Sequence, residues 1–387
     1  MTGIRNQVLF TLVIASAAAV AASGFVGYAP NRLVSGKPIA LWAAAGGFST
    51  AAIALLGTML LAACFMRPGR TLHSAQGSLA AVLLLLVLGA AGQAASTLAI
   101  GAKPAIRISL GAAFWILAGC AALAIVDALQ RLGAGPAARV LTVVALGAGA
   151  AVLAAAGTFD ALSIAREYAS RRQLFAEALL RHVALVAGSV GPAIAIGFPL
   201  GVAAARNPRL QGPLFAVLNM LQTIPSIALF GLLILPLSAL ATAVPPLAAL
   251  GVGGIGVAPA IVALVLYALL PVVRNTSTGL AGVDSAVIEA GRGMGLTSRQ
   301  ILWQVELPLA LPVLLAGLRI VTVQAIGLAV VAALIGAGGL GTFVFEGLGQ
   351  YAVDLVLLGA LPAIFLALAA DFILQTLSTL LRHRLAP

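Results

Sequence analysis

Apolar runs long enough to cross a bilayer follow one another along this chain, and polar stretches interrupt them at two places. A spanning helix needs about 20 mainly apolar residues. Such runs fall near 7–29, 39–66, 78–100, 108–130 and 140–158, then near 183–205, 213–235, 257–273, 309–335 and 354–380. The links in the first half are short: Arg67-Pro68-Gly69-Arg70, Gly101-Ala102-Lys103-Pro104, and Arg131 to Arg139. The pattern predicts an all-α, polytopic transmembrane helical protein of about ten spans. The first run follows Arg5 and has the make-up of a signal peptide, with a weak cleavage site near Ala21. It is also long enough to span, and an uncleaved helix is the preferred reading.

Residues 159–182 break the pattern. Charges of both signs alternate there with Leu162, Ile164, Phe175, Leu179 and Leu180. This predicts an amphipathic linker helix at a membrane surface, between an N-terminal membrane domain (1–158) and a second domain (183–387). The other break runs from Arg274 to Pro312 and carries Arg274, Asp284, Glu289, Arg292, Arg299 and Glu306. It is polar yet well punctuated. Asp284 suits the N-cap of a helix from Ser285, with Gly293 and Gly295 near its end. Thr297 and Gln300 make a capping box for a second helix that Pro308 is expected to stop. Two short helices meeting around Gly295 outside the membrane suggest a docking element.

Composition agrees. Of 387 residues 62% are hydrophobic and 8% charged, against about 25% charged in soluble domains, and mean hydropathy is +1.15. Sparse aromatics and abundant small residues suit closely packed helices rather than a β-barrel. Gly197 and Gly201 form a GxxxG pair expected to pack helices together. The net charge of +11 belongs to arginines flanking spans, with no basic aromatic cluster to suggest nucleic acid. Cys64 and Cys120 lie in apolar runs, so neither a metal framework nor a disulfide scaffold is indicated. No catalytic residue stands out: His73, His182 and His383 all sit at span ends, where solvated side chains are expected.

One further stretch stands apart. Asn219, Gln222, Thr223 and Ser226 lie in a single apolar run, with Pro225 opening the backbone. Their helical spacing forms a polar stripe that should face protein or a water-filled path. It either lines a translocation path or only makes interhelical hydrogen bonds. Arg319 is the one charge near a core span interior and is expected to snorkel, with Asp371 closer to an end. Two GxGxxG matches, Gly251-Gly253-Gly256 and Gly336-Gly338-Gly341, lack the strand and acidic residue that a dinucleotide site requires. They read as turns or re-entrant bends.

Glu289-Ala290-Gly291, then Gly295, then nine residues, then Val305-Glu306-Leu307-Pro308 resembles the EAA loop of ABC-importer permeases, whose pattern is E-A-A-x-x-x-G, nine residues, I-x-L-P. Gly291 and Val305 are mild departures. The Asn219–Leu229 stretch, after Arg206-Asn-Pro, resembles the QTIPS(L)AL region of osmoprotectant permeases for glycine betaine, choline and carnitine. The resemblance covers roughly 175–384. It implies a five-helix permease core whose loop, through Asp284, Glu289, Ala290, Gly291, Gly295, Leu307 and Pro308, docks on an ABC ATPase subunit. It implies no cofactor in this chain, because ATP and Mg are used by the partner, and no Walker A sequence is present. It also implies a periplasmic or extracellular solute-binding protein, and a second permease copy as a homodimer. The location implied is the bacterial cytoplasmic (inner) membrane.

Charge supports that topology. With 274–308 inside, Arg5, Arg67, Arg70, Arg131, Arg139, Arg206, Arg209, Arg382 and Arg384 fall inside and the C-terminus is cytoplasmic. Arg32, Lys37, Lys103, Arg107 and the linker's Arg166, Arg171, Arg172 and Arg181 fall outside. The short loops obey the positive-inside rule. Other readings are a permease for an amino acid or another small polar solute, an ion-coupled secondary transporter, and a membrane scaffold. The lack of carboxylates deep in the spans argues against ion coupling.

Overall fold

A computed structural model describes residues 3–385 except 32, 33, 35, 102, 104 and 250, with side chains to residue 381. Arg32 and the side chains of His383, Arg382 and Arg384 lie outside that set. Two compact units divide at Ser170 and Arg171, within the stretch read as a linker. Among the described residues eight helices are long and apolar enough to cross a membrane, and two shorter apolar ones accompany them.

The first unit contains α1 (Gln7–Ala22), β1 (Val26–Ala29), β2 (Lys37–Ile39), α2 (Leu41–Ala44), α3 (Gly47–Ala63), α4 (Arg70–Ala99), β3 (Arg107–Leu110), α5 (Ala112–Arg131), α6 (Pro136–Ala155) and α7 (Ser163–Ser170). The strands pair antiparallel in the order β2-β1-β3. This small sheet departs from a purely helical reading, and it shortens the runs expected at 7–29 and 39–66. Phe25, just before β1, and Val26, its first residue, are fully buried, with Phe25 edge-on to Phe114 at 5.9 Å. At the opposite ends of α1 and α5 a polar clasp closes the unit. Asn6 donates to Asp127 at 2.9 Å, and Arg131 donates to both, at 2.8 Å and 3.0 Å. His73 is buried rather than solvated, because it pairs with Gln76, which in turn donates to the Ala63 carbonyl.

The second unit contains α8 (Arg172–Arg206), α9 (Pro208–Thr223), α10 (Ser226–Ala243), α11 (Pro245–Ala249), α12 (Val257–Ala281), α13 (Ser285–Gly293), α14 (Ser298–Ile301), α15 (Leu307–Val331), α16 (Gly341–Gly349) and α17 (Val353–Leu385). Residues 159–182 are therefore not one linker helix. The part before Ser170 is α7, and Arg172–His182 is the opening of α8. No glycine or proline interrupts α8 before Gly188, so nothing ends the helix at the membrane surface. The short α16 lies between α15 and α17 and packs on α17, which fits the re-entrant bend read at Gly336–Gly341.

The second unit is built around α12, which packs against α8, α9, α10 and α15. Missing side chains permit the closest approach. A Cβ at Gly197 would stand 2.7 Å from Val272, and one at Gly201 would stand 2.5 Å from Thr276 and 3.0 Å from the Val273 carbonyl. The GxxxG pair is a helix-packing seam, as its sequence suggests. His182, expected to be solvated, is fully buried instead. It sits in α8 against Gly339, whose positive φ of +84° brings backbone where a side chain would otherwise stand. Arg319 does not snorkel alone. Its guanidinium donates to Asp371, joining α15 to α17.

The Gly201 seam yields a test. Gly201→Leu should overpack α8 against α12 and destabilise the core by about 1–3 kcal/mol. A thermal-unfolding midpoint equal to that of the unsubstituted protein would show that the seam is not tight.

Candidate functional site

The polar hairpin after α12 is defined residue by residue by its backbone chemistry. A helix start leaves amide donors without partners. Asp284 supplies one acceptor, taking the Ala286 N–H at 2.9 Å. At the far end of α13 the Leu296 N–H donates to the Gly291 carbonyl at 3.1 Å, and the Gly295 N–H to Arg292 at 2.9 Å. These two bonds make a Schellman close, which requires a left-handed residue at Gly295, and φ there is +84°. The Gly of the E-A-A-x-x-x-G spacing is thus the residue that lets the chain reverse. Thr297 and Gln300 then form the reciprocal capping box.

Exposure divides the hairpin into two faces. Asp284, Glu289, Ala290 and Gly295 are exposed, as are the apolar Val287 and Met294. Gly291 is buried against Leu296, Ile301 and Val305. A Cβ at Gly291 would meet Leu296 at 3.6 Å and Ile301 at 3.7 Å, ordinary contact distances. The site therefore has room for the alanine usual at this place of the motif.

Pro308 does not stop the second helix. From Ser298 the chain runs as α14, a π-helical segment Leu302–Glu306, and α15 without a break. The Leu307 N–H reaches back to the Leu302 carbonyl, a five-residue step that widens the turn just ahead of the proline. A residue with no N–H fits the first turn of α15. Leu307 and Pro308 are thus the opening of a span and not the end of a surface helix.

The buried Glu306 receives the guanidinium of Arg206, which ends α8. Asn207 then caps α9, accepting from the Arg209 N–H at 3.0 Å. The hairpin is therefore tied by an ion pair to the turn between α8 and α9. Both charges are visible in the sequence, at the edges of apolar runs, but their pairing across 100 positions has no sequence signal.

The polar stripe is brought together only in part. The run near 213–235 is two helices, α9 and α10, parted at Ile224-Pro225. Proline removes an N–H and drives the preceding residue to extended backbone, and Ile224 has ψ 124°. Gln222 points inward and donates to the Tyr267 carbonyl at 2.5 Å, while the Tyr267 hydroxyl donates to the Ile224 carbonyl. Ser226 is half-buried at the start of α10, and Pro225 is exposed at the break. Asn219 and Thr223 face outward. Thr223 bonds its own helix at Met220, and Asn219 accepts from Arg274 of α12 at 3.1 Å. Arg274 also lies 5.8 Å above the Phe215 ring. Tyr267 and Arg274 were not singled out for this region in the sequence, because each approaches the stripe from another helix. Among the described residues no cluster of His, Cys, Asp and Glu could hold a metal.

Comparison with known proteins bears on both units. Residues 4–165 match the family described as the N-terminal domain of the ABC transporter permease YehY. Residues 197–386 match the binding-protein-dependent transport system inner membrane component. The osmoprotectant import permease protein OsmW of Salmonella typhimurium is 45% identical over 201 residues, covering 52% of this chain and 88% of the relative. The carnitine transport permease protein OpuCB of Listeria monocytogenes is 41% identical over 207 residues, 54% of this chain and 86% of the relative. The choline transport system permease protein OpuBB of Bacillus subtilis is 40% identical over 192 residues, 50% and 80% respectively. Among solved structures, an inward-facing MetNI methionine ABC transporter aligns with a TM-score of 0.49 and 24% identity, over 55% of this chain and 98% of that chain.

The hairpin's two glycines should respond oppositely to alanine. Gly291→Ala should stabilise α13 by about 1 kcal/mol, whereas Gly295→Ala should destabilise the turn by about 1–2 kcal/mol. Hydrogen exchange over 285–296 reads both. Equal effects would disprove the Schellman role given to Gly295.

Proposed function

Since the chain belongs to the family of binding-protein-dependent transport system inner membrane components, a multi-span permease of the inner membrane, we propose that it forms the translocation path of an ABC importer for a small quaternary-ammonium osmoprotectant. The solute class comes from the relatives, whose names specify osmoprotectants, carnitine and choline. The observation that carries the mechanical part is the capped hairpin after α12. It presents Glu289 outward and continues without a break into α15.

In this reading the hairpin lies in the cytoplasm, as does the C-terminus. Asp284, Glu289, Ala290, Gly291 and Gly295 form the docking arm for a separate ATPase subunit, which uses ATP and Mg, while this chain uses no cofactor. Leu307 and Pro308 begin the arm's continuation into the membrane. Two copies pair as a homodimer, because a two-fold interface encloses a path that one small bundle cannot. An external solute-binding protein delivers cargo. ATP-driven closure of the motor moves the hairpins and rocks the bundles between inward- and outward-open states. Asn219, Gln222, Thr223, Pro225 and Ser226 belong to the wall of the path, with Gln222 and Pro225 shaping the helix break and Asn219 and Thr223 facing the space between copies. The Arg206–Glu306 pair carries hairpin motion to the turn between α8 and α9.

Transport by the assembled complex in proteoliposomes tests this. Uptake of radiolabelled glycine betaine or choline should require internal ATP and the binding protein, and should survive ionophores that collapse ion gradients. Uptake that tracks the gradients and ignores ATP would refute the proposal. Glu289→Arg should abolish copurification of the ATPase and reduce uptake to background. Retained ATPase binding by that variant would remove Glu289 from the docking arm.

A further inference from the structure

Three guanidiniums that join elements of the second unit each face a carboxylate. Arg171 meets Glu346 at 2.7 Å, Arg206 meets Glu306, and Arg319 meets Asp371. Arg274 differs. Its partner is the neutral amide oxygen of Asn219, and the Phe215 ring lies beneath it. No carboxylate pairs with Arg274 among the described residues. Most of its five N–H donors are therefore uncommitted, and its charge is not cancelled.

Its position is equally particular. Along the well-buried α12 only Arg274, Thr278 and Ala281 are exposed. Arg274 lies seven residues before the end of α12 at Ala281, about 10 Å along the axis. An exposed cation with an amide and an aromatic ring beside it belongs on a water-accessible face and not against lipid. Asn219 is the stripe residue that holds it there.

We infer that Arg274 is a solute-selecting residue of the path, taking the carboxylate of a zwitterionic quaternary-ammonium solute. This rests on the path reading given under the proposed function. A guanidinium offers a carboxylate two parallel N–H donors. A trimethylammonium group offers no N–H and is repelled by the same charge. Glycine betaine and choline share that group, and differ in that one carries a carboxylate where the other carries a hydroxyl. Arg274 therefore favours the zwitterion over the cation, with each copy contributing one guanidinium to the shared path.

The test compares ATP-driven uptake of glycine betaine and choline by the complete complex in proteoliposomes, using one binding protein throughout. Arg274→Gln should lower the betaine-to-choline uptake ratio about ten-fold or more relative to wild type. Arg274→Lys should retain part of the preference. Asn219→Asp cancels the charge in place without removing the arginine, so it should lower the ratio in the same direction and guards against misfolding of the glutamine variant. An unchanged ratio in both Arg274→Gln and Asn219→Asp, whether the two solutes fall together or neither falls, overturns the inference while leaving the transport reading intact. A wild-type complex that carries neither solute overturns both.

Discussion

A chain within hydrocarbon has no water to satisfy its backbone, so every break in a helix must be compensated by the protein itself. The core's departures from regular helix show this constraint at work. At Ile224-Pro225 the freed carbonyl of Ile224 receives the Tyr267 hydroxyl, and Gln222 returns a donor to the Tyr267 carbonyl. Ahead of Pro308 a wide turn replaces the bond pattern that the proline would have spoiled. Outside the apolar runs the same accounting holds at the hairpin, where Schellman bonds close the end of α13 and a capping box the start of α14. These are also the places to which the proposed function is assigned.

Charge obeys the same constraint. Glu306 is buried, and Arg319 and Asp371 lie within long apolar helices. Each is paired, because an unpaired charge there would cost far more than a surface one. The pairs do different work. Arg319–Asp371 ties α15 to α17, whereas Arg206–Glu306 ties the hairpin's continuation to the end of α8. Against this background Arg274 is conspicuous for having an amide and an aromatic ring beside it and, among the described residues, no carboxylate.

Much of this was legible in the sequence. Apolar runs located the helices, because a bilayer demands length and hydropathy that few other structures need. The hairpin's caps were readable from Asp284, Thr297 and Gln300, since capping is local chemistry, and Gly295 was readable because only glycine adopts its backbone freely. What escaped was of two kinds. Local overrides were misjudged: Pro308 reads as a stop unless the wide turn before it is known, and Pro225 splits a run that hydropathy alone treats as one span. Long-range partners were invisible: Tyr267 at the stripe, Arg206 for Glu306, and the packing that buries His182 all depend on which helices become neighbours. The three-stranded sheet was missed because strands of three and four residues leave no periodic signal.

The junction of α14, the wide turn and α15 gives the hairpin an unusual mechanical character. From Ser298 to Val331 the backbone is a single rod roughly 50 Å long, with no glycine before Gly317 to soften it. Any bend in it falls at the wide turn Leu302–Glu306 or at Pro308 and Pro312. The two ends of this run belong to one continuous helical backbone, and the chain reverses just ahead of it at Gly295, where φ is +84°.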